Sequence, residues 1–256
     1  MTQILTPDPL ITVAIPSLNQ GRFLNDALES VFKQALPIEV FVADGGSTDE
    51  TPQVIERWES RLAGWRSHPD KGQAAAINEA IAKGSAPYVC WLNSDDLLLP
   101  SGLATLVTAL TEYPEWPAAY GKAWNVSENL MRRSQVRTQP FSERSLAIRC
   151  IICQPATLIR RTAWEKAGGL DETLHVAMDY DLWWRLFRSG GPLGYVNKDI
   201  ALNRVHPTTK TRTNRRRHYQ EAIAVVRRHY GRVPVRWWLA WPVSVWMRSL
   251  LAPQLP

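Results

Sequence analysis

Cysteine is scarce. Cys90, Cys150 and Cys153 are the only three in 256 residues, too few for a disulfide scaffold, and a reducing cytoplasmic setting is expected. No basic-then-apolar leader opens the chain, since Met1 to Pro9 is polar and broken by prolines, so the sequence does not read as secreted. No internal repeat and no linker that would separate independent domains is visible, which argues against a solenoid. With 45% hydrophobic and 21% charged residues, wholesale disorder, collagen-like repeats and coiled coil are excluded. Acid is missing from one end only. Residues 204–256 hold eleven Lys and Arg against Glu221 alone, whereas residues 1–203 hold 19 basic and 23 acidic side chains. A mildly acidic body with a strongly basic tail points to a polyanionic partner or an anionic membrane surface.

The first hundred residues alternate two periodicities. Ile11–Ile15, Ile38–Ala43, Gly64–His68 and Tyr88–Leu92 read as short buried strands. Phe23–Lys33, Thr51–Leu62 and Gln73–Lys83 carry apolar residues at helical spacing, with Thr48 or Asp49 available to cap the second. Strand, helix, strand with short links implies right-handed crossovers and a parallel sheet, whose ligands bind beyond the carboxyl ends of the strands. Further on, Ser101–Tyr113, Glu143–Arg149, Arg161–Ala167 and Asp179–Arg188 read as helices, the last two ended by Gly168-Gly169 and Gly190-Gly191. Ala118–Arg137 suggests short antiparallel strands, Thr157–Arg160 a strand and Ile200–Val205 a late strand.

The presumed carboxyl ends are polar. They run into Pro16-Ser17-Leu18-Asn19, Asp44-Gly45-Gly46-Ser47, Asp70-Lys71-Gly72 and Asn93-Ser94-Asp95-Asp96. Two adjacent acids leaving a buried strand repel each other unless a cation compensates, and Mg²⁺ or Mn²⁺ suits such oxygen ligands beside substrate phosphates. The other reading of Asp95-Asp96 is a cap for a helix over Leu97–Leu110, although Pro100 favours a loop. Asp179 and Asp181 open a helix and, being two apart, do not share a face. At most one of them points into a site; the other caps the helix or pairs with an Arg.

The combination Val13-Ala-Ile-Pro-Ser-Leu-Asn19, Val42-Ala-Asp-Gly-Gly-Ser-Thr-Asp-Glu-Thr51, His68-Pro-Asp-Lys-Gly72, Leu92-Asn-Ser-Asp-Asp96 and Met178-Asp-Tyr-Asp-Leu-Trp-Trp-Arg185 resembles the family 2 inverting glycosyltransferases over roughly residues 10–210. The resemblance implies an α/β GT-A fold: a mostly parallel central sheet flanked by helices. A single catalytic domain over 1–210 would comprise a nucleotide-sugar-binding half (1–98) and an acceptor-binding half (99–210), followed by a basic, Trp-rich helical tail (211–256). It implies that Pro16, Ser17 and Asn19 cradle the nucleotide, that Asp44 holds the base or ribose, and that Asp70, Lys71, Asn93 and Ser94 lie beside it. Asp95 would be the metal ligand, with Asp96 compensating for Asn93 where the family has a first acid, and His206 closing over the diphosphate or metal. Asp179 would be the base, with Met178 replacing the usual preceding acid.

The implied chemistry is direct displacement from a UDP- or dTDP-sugar onto an acceptor hydroxyl of a polysaccharide or lipid-linked precursor, aided by Mn²⁺ or Mg²⁺. A nucleotidyltransferase, or a nucleotide-sugar- or glycan-binding protein without turnover, remains as an alternative. Arg160-Arg161 and Trp183-Trp184 either line an acceptor groove or pack, Gln154-Pro155 lies on the acceptor side, and Cys150-Ile-Ile-Cys153 reads as two buried thiols. In the tail, Arg212–Arg217 is a basic cluster, Glu221–Tyr230 a basic helix, and Val233–Ala252 an apolar stretch with four Trp. Pro234, Arg236, Pro242 and Arg248 make that stretch a poor membrane span. Peripheral attachment at the inner face of a membrane is the favoured reading of 211–256, and packing on the body or on another subunit the other. No nucleic-acid-binding module accompanies the charge, so no nucleic acid is expected as a partner.

Overall fold

The computed structural model describes residues 8–131, 133–242 and 245. Its first half follows the sequence pattern: β1 (Ile11–Ser17), α1 (Gly21–Phe32), β2 (Ile38–Asp44), α2 (Thr51–Trp58), β3 (Gly64–Ser67), α3 (Gln73–Lys83) and β4 (Tyr88–Trp91). β1 pairs in parallel with both β2 and β4, and β2 with β3. All seven residues of β1 are buried, as a central strand covered on both faces requires. Successive residues of β1 serve opposite faces. Ile11, Val13 and Ile15 pack with α1 and α2, while Ala14 packs with α3.

Beyond β4 the sheet changes direction. The remaining elements are β5 (Leu97–Leu98), α4 (Gly102–Glu112), β6 (Ala118–Ser127), β7 (Arg133–Gln135), α5 (Glu143–Ile148), β8 (Thr157–Arg160), α6 (Arg161–Ala167), α7 (Met178–Gly190), β9 (Gly194–Val205), α8 (Lys210–Thr213), α9 (Arg215–Tyr230) and α10 (Val235–Trp241). Among the described residues nine strands form one sheet in the order β3-β2-β1-β4-β8-β6-β9-β5, with β7 on β6. β8 runs antiparallel to both β4 and β6, and β6 pairs with β9 in parallel.

The structure adds to the sequence reading in three places. Leu97 does not open a helix, in line with the loop expected at Pro100: Leu97–Leu98 pairs with Ala201–Leu202 as a short strand, and α4 begins at Gly102. A Cβ on Gly102 would stand 2.7 Å from the Ile200 carbonyl oxygen, so the helix reaches β9 this closely because the residue has no side chain. Ala118–Ser127 is one ten-residue strand rather than several short ones, and β9 starts six residues before Ile200. The third place is the tail. Ala222, Ile223, Val225 and Val226 of α9 and Trp237 of α10 belong to the same apolar cluster as Trp91, Trp183 and Trp184. Residues 215–241 therefore pack on the body, and no break in packing marks residue 210; most of 243–256 lies outside the described residues.

Candidate active site

The loops after β1 and β2 are stitched together. Asn19, at φ 53°, donates its N–H to Ser47 Oγ (2.7 Å), and its Oδ1 accepts the Thr48 N–H (2.9 Å). Asp49 accepts from the Gly21 N–H (3.0 Å) and the Thr51 N–H (3.0 Å), so one carboxylate serves the first turns of both α1 and α2. Burial alone would raise its pKa, but these bonds outweigh it and the net shift is downward. Pro16 and Ser17 are buried in the last positions of β1. Ser17 Oγ is buried without a hydrogen-bond partner among the described residues, a donor and acceptor that a ligand could match.

Asp44 does not stand open at the end of β2. It is fully buried, with one oxygen taking the Ser47 hydroxyl and the other the Ser47 N–H (3.0 Å) and the Ser67 hydroxyl (2.5 Å). As the side chains lie, it anchors the turn. Asp70 is held by Arg66 Nη2 (3.0 Å) and by the Gly72 N–H (2.8 Å), and Arg66 also reaches the Asp44 carbonyl (2.6 Å). Lys71 beside it is exposed.

The second corner separates the adjacent acids. Asp96 turns inward: it is 1% exposed, with Oδ1 accepting the Arg204 N–H (2.9 Å) and Oδ2 the Asn93 amide (3.1 Å). Burial, reinforced by the Asp95 charge, pushes its pKa well up. Expected beside the metal, it has both oxygens occupied within the protein as the side chains lie: Oδ1 ties the β4 loop to β9 and Oδ2 closes on Asn93 of the same loop. Asp95 faces the other way, its Oδ2 2.9 Å from His206 Nε2. His206 is buried; its Nδ1 lies 2.9 Å from Thr208 Oγ1 and its ring 4.9 Å from that of Phe23. Ser94 is buried between these residues in sequence. Among the described residues no group of three or more His, Cys, Asp or Glu could hold an ion. One carboxylate and one imidazole fit a cation that takes its other ligands from a diphosphate and water.

Asp179 stands in the first turn of α7, partly buried, its Oδ1 accepting the Tyr180 N–H (2.7 Å). Burial raises its pKa to about 6, against the smaller opposing effects of backbone hydrogen bonds and the Lys210 charge. Asp181 points away: it is fully buried against Arg185 (2.7 Å) and His229 (2.8 Å), which carry its pKa downward despite desolvation. A polar chain joins the two corners. Lys210, whose charge acts on Asp179, donates to Gln73 Oε1 (3.0 Å); Gln73 donates to Asn93 Oδ1 (2.8 Å), two residues before Asp95. Asp179, the β4 loop and the residues after β9 therefore share one rim.

Sequence reasoning missed Lys210, Gln73 and Phe23. The signal available was the short distance of Lys210 from His206 in a segment read only as basic tail. Other groove candidates are used in packing. Trp183 and Trp184 are fully buried, Arg160 bonds the Trp116 carbonyl (2.8 Å) and Arg161 the Ala86 carbonyl (2.5 Å). Gln154 bonds the Trp91 carbonyl (2.7 Å) and orients Asn93. The cysteines are free thiols, Cys90 raised by burial to about 12 and Cys150 and Cys153 also raised by burial.

Comparison with known proteins bears on the family and the fold. A chondroitin synthase of Escherichia coli is 27% identical over 200 residues, covering 77% of this chain and 29% of that protein, so the chain spans under a third of that relative's length. An uncharacterized glycosyltransferase of Rickettsia prowazekii is 24% identical over 224 residues, 83% of this chain and 70% of its own. Among solved structures, Staphylococcus aureus TarS 1–349 in complex with UDP superposes with a TM-score of 0.69 at 17% identity, over 96% of this chain and 75% of that one. A Pyrobaculum calidifontis mannosyltransferase with GDP-Man and Mn²⁺ gives 0.67 at 21% identity, over 90% and 67%. The fold is that of the GT-A glycosyltransferases. The model for glycosyl transferase family 2 matches residues 12–167, and the chain belongs to that family of enzymes.

Proposed function

We propose that the protein transfers a sugar from a UDP- or dTDP-sugar to an acceptor hydroxyl by direct displacement with inversion. The observation that carries the proposal is Asp179, a carboxyl whose pKa is lifted to about 6 on the same rim as Asp95 and His206. A base with that pKa is mostly ionised at neutral pH and is a stronger proton acceptor than an ordinary carboxylate. As the acceptor oxygen bonds to the anomeric carbon, the bond from that carbon to the diphosphate breaks and the acceptor proton passes to Asp179. One base and one displacement invert the centre, and no covalent sugar intermediate is needed. Asp95 and His206 would hold a divalent cation, Mn²⁺ or Mg²⁺, which when bound supplies positive charge for the departing diphosphate. The stitched loops carrying Pro16, Ser17, Asn19, Asp70 and Lys71 would enclose the nucleotide, with Asn93 and Ser94 at their inner edge.

The TarS complexes with UDP and UDP-GlcNAc support a uridine nucleotide as donor, and the chondroitin synthase likeness supports a growing glycan as acceptor. The basic tail favours a lipid-linked or polysaccharide precursor met at the inner face of a membrane. The test pairs binding with turnover across a panel of UDP- and dTDP-sugars. Asp179→Asn is expected to bind UDP as the parent does and to release no sugar product. Equal loss of binding and transfer removes Asp179 as the base.

A further inference from the structure

α10 buries one side and leaves the other apolar. Inward, Trp237 is 9% exposed, donates its indole N–H to the Ala147 carbonyl (2.8 Å) and lies 5.6 Å from the Tyr219 ring; Trp241 lies 5.7 Å from that same ring. Outward, Val235, Trp238 and Leu239 are 69%, 48% and 74% exposed. Residues three and four apart share a helical face, so these three form one stripe, and Arg236 stands at its edge. A surface helix in water normally turns charged or polar residues outward; α10 turns out Val, Trp and Leu. Arg216, Arg217, Arg227, Arg228, Arg232 and Arg236 are all exposed. The single acid of this segment, Glu221, is spent on the N–H groups of His175, Val176 and Ala177.

We infer that this face of α10, Val235, Trp238 and Leu239 with Arg232 and Arg236, seats the protein on an anionic lipid surface. Charge selects that occupant: a second copy would bring the same basic residues against these, whereas lipid phosphates neutralise them. Among the described residues no helix is long and apolar enough to cross a membrane, and α10 is about 10 Å long, so it lies in the headgroup layer. There the indole buries partly and the guanidinium groups meet phosphate. α9 carries both α10 and the Glu221 contact to the start of α7, which fixes the lipid-facing side relative to Asp179. The inference rests on the membrane part of the functional reading and not on its chemistry.

The test is co-sedimentation of the full chain with vesicles of phosphatidylcholine alone or mixed with phosphatidylglycerol, with slow hydrolysis of a UDP-sugar measured in parallel. Binding is expected only to the anionic vesicles and weakens with salt. Trp238→Ser with Leu239→Ser, and separately Arg232→Gln with Arg236→Gln, are each expected to cut vesicle affinity about tenfold or more while hydrolysis is unchanged. Unaltered affinity in both variants overturns the inference, as does equal binding to neutral vesicles. Dissociation of a dimer by the Trp238/Leu239 variant with vesicle binding intact assigns the face to a second copy and also overturns it. Loss of hydrolysis in the parent would count against the transferase reading and leave the vesicle result standing.

Discussion

Asp179→Asn should make the protein more stable at neutral pH while abolishing transfer. In the unfolded chain this carboxyl ionises near 3.8, and in the folded one near 6, because burial disfavours the charge. Between those values the unfolded state has released its proton while the folded state retains it. Stability from this group is therefore greatest below about pH 4, falls as pH rises through 6, and is level above. Two units correspond to at most about 3 kcal/mol at pH 7.5. Asparagine keeps an Oδ1 for the Tyr180 N–H and carries no charge, so it recovers this energy, raising Tm by several degrees in a chain of this size. Denaturant titrations of both proteins at pH 4.5, 6 and 7.5 measure it: the gap should widen with pH. In the parent, kcat should rise tenfold per pH unit below about 6 and level off above. A variant no more stable than the parent at pH 7.5, with the same pH dependence, refutes the argument that Asp179 is a desolvated base.

Lys210→Met removes a positive charge that holds the Asp179 pKa down, so the acid limb of the kcat profile should move to higher pH; an unmoved limb means the two groups do not interact. Asp95→Asn, or a chelator added to the parent, should weaken UDP binding more than tenfold if a cation sits between carboxylate and diphosphate, and calorimetry with and without Mn²⁺ reads this directly. Asp181→Ala strands Arg185 and His229 and should cost about 3–5 kcal/mol in urea denaturation, with less than about 1 kcal/mol counting against a structural ion pair. Asp181 has its pKa lowered, so its contribution is present above the unfolded value and lost in acid as the carboxylate protonates, opposite in sign to Asp179.

The parallel half was legible because its signals are local. The β-branched runs of β1 and β2 and the apolar spacing of α1 need no partner to be recognised, and the loops between them were placed at one rim by topology alone. What escaped depends on distant pairing. β9 begins with Tyr195, Val196 and the exposed Asn197–Asp199, which look like loop until parallel β6 supplies their hydrogen bonds. Leu97–Leu98 reads as loop because its strand partner is a hundred residues away. The burial of Asp96 and Asp44 escaped because a sequence shows charge but not direction; the Arg204 N–H and the Ser67 hydroxyl that occupy them come from other elements. The basic tail looked amphipathic, and its Ile223, Val225 and Val226 stripe joins the apolar cluster of Trp183 and Trp184 in α7, a partner the sequence does not name.

That packing bears on catalysis, because α7 carries two acids with opposite shifts. Asp179 is raised and Asp181 lowered, two residues apart on different faces of one helix. A desolvated carboxyl at a helix start opposes folding, so something must hold the helix end in place. Glu221 does so, accepting N–H groups of residues 175–177 just before α7, while His229 and Arg228 fix Asp181 from the same helix α9. Lys210, just ahead of α9, lies close enough for its charge to act on Asp179. Glu221, His229, Arg228 and Lys210 all lie beyond residue 209, past the 12–167 span matched by the family model. Burial lifts the Asp179 carboxyl to about 6, and the Lys210 charge opposes that rise.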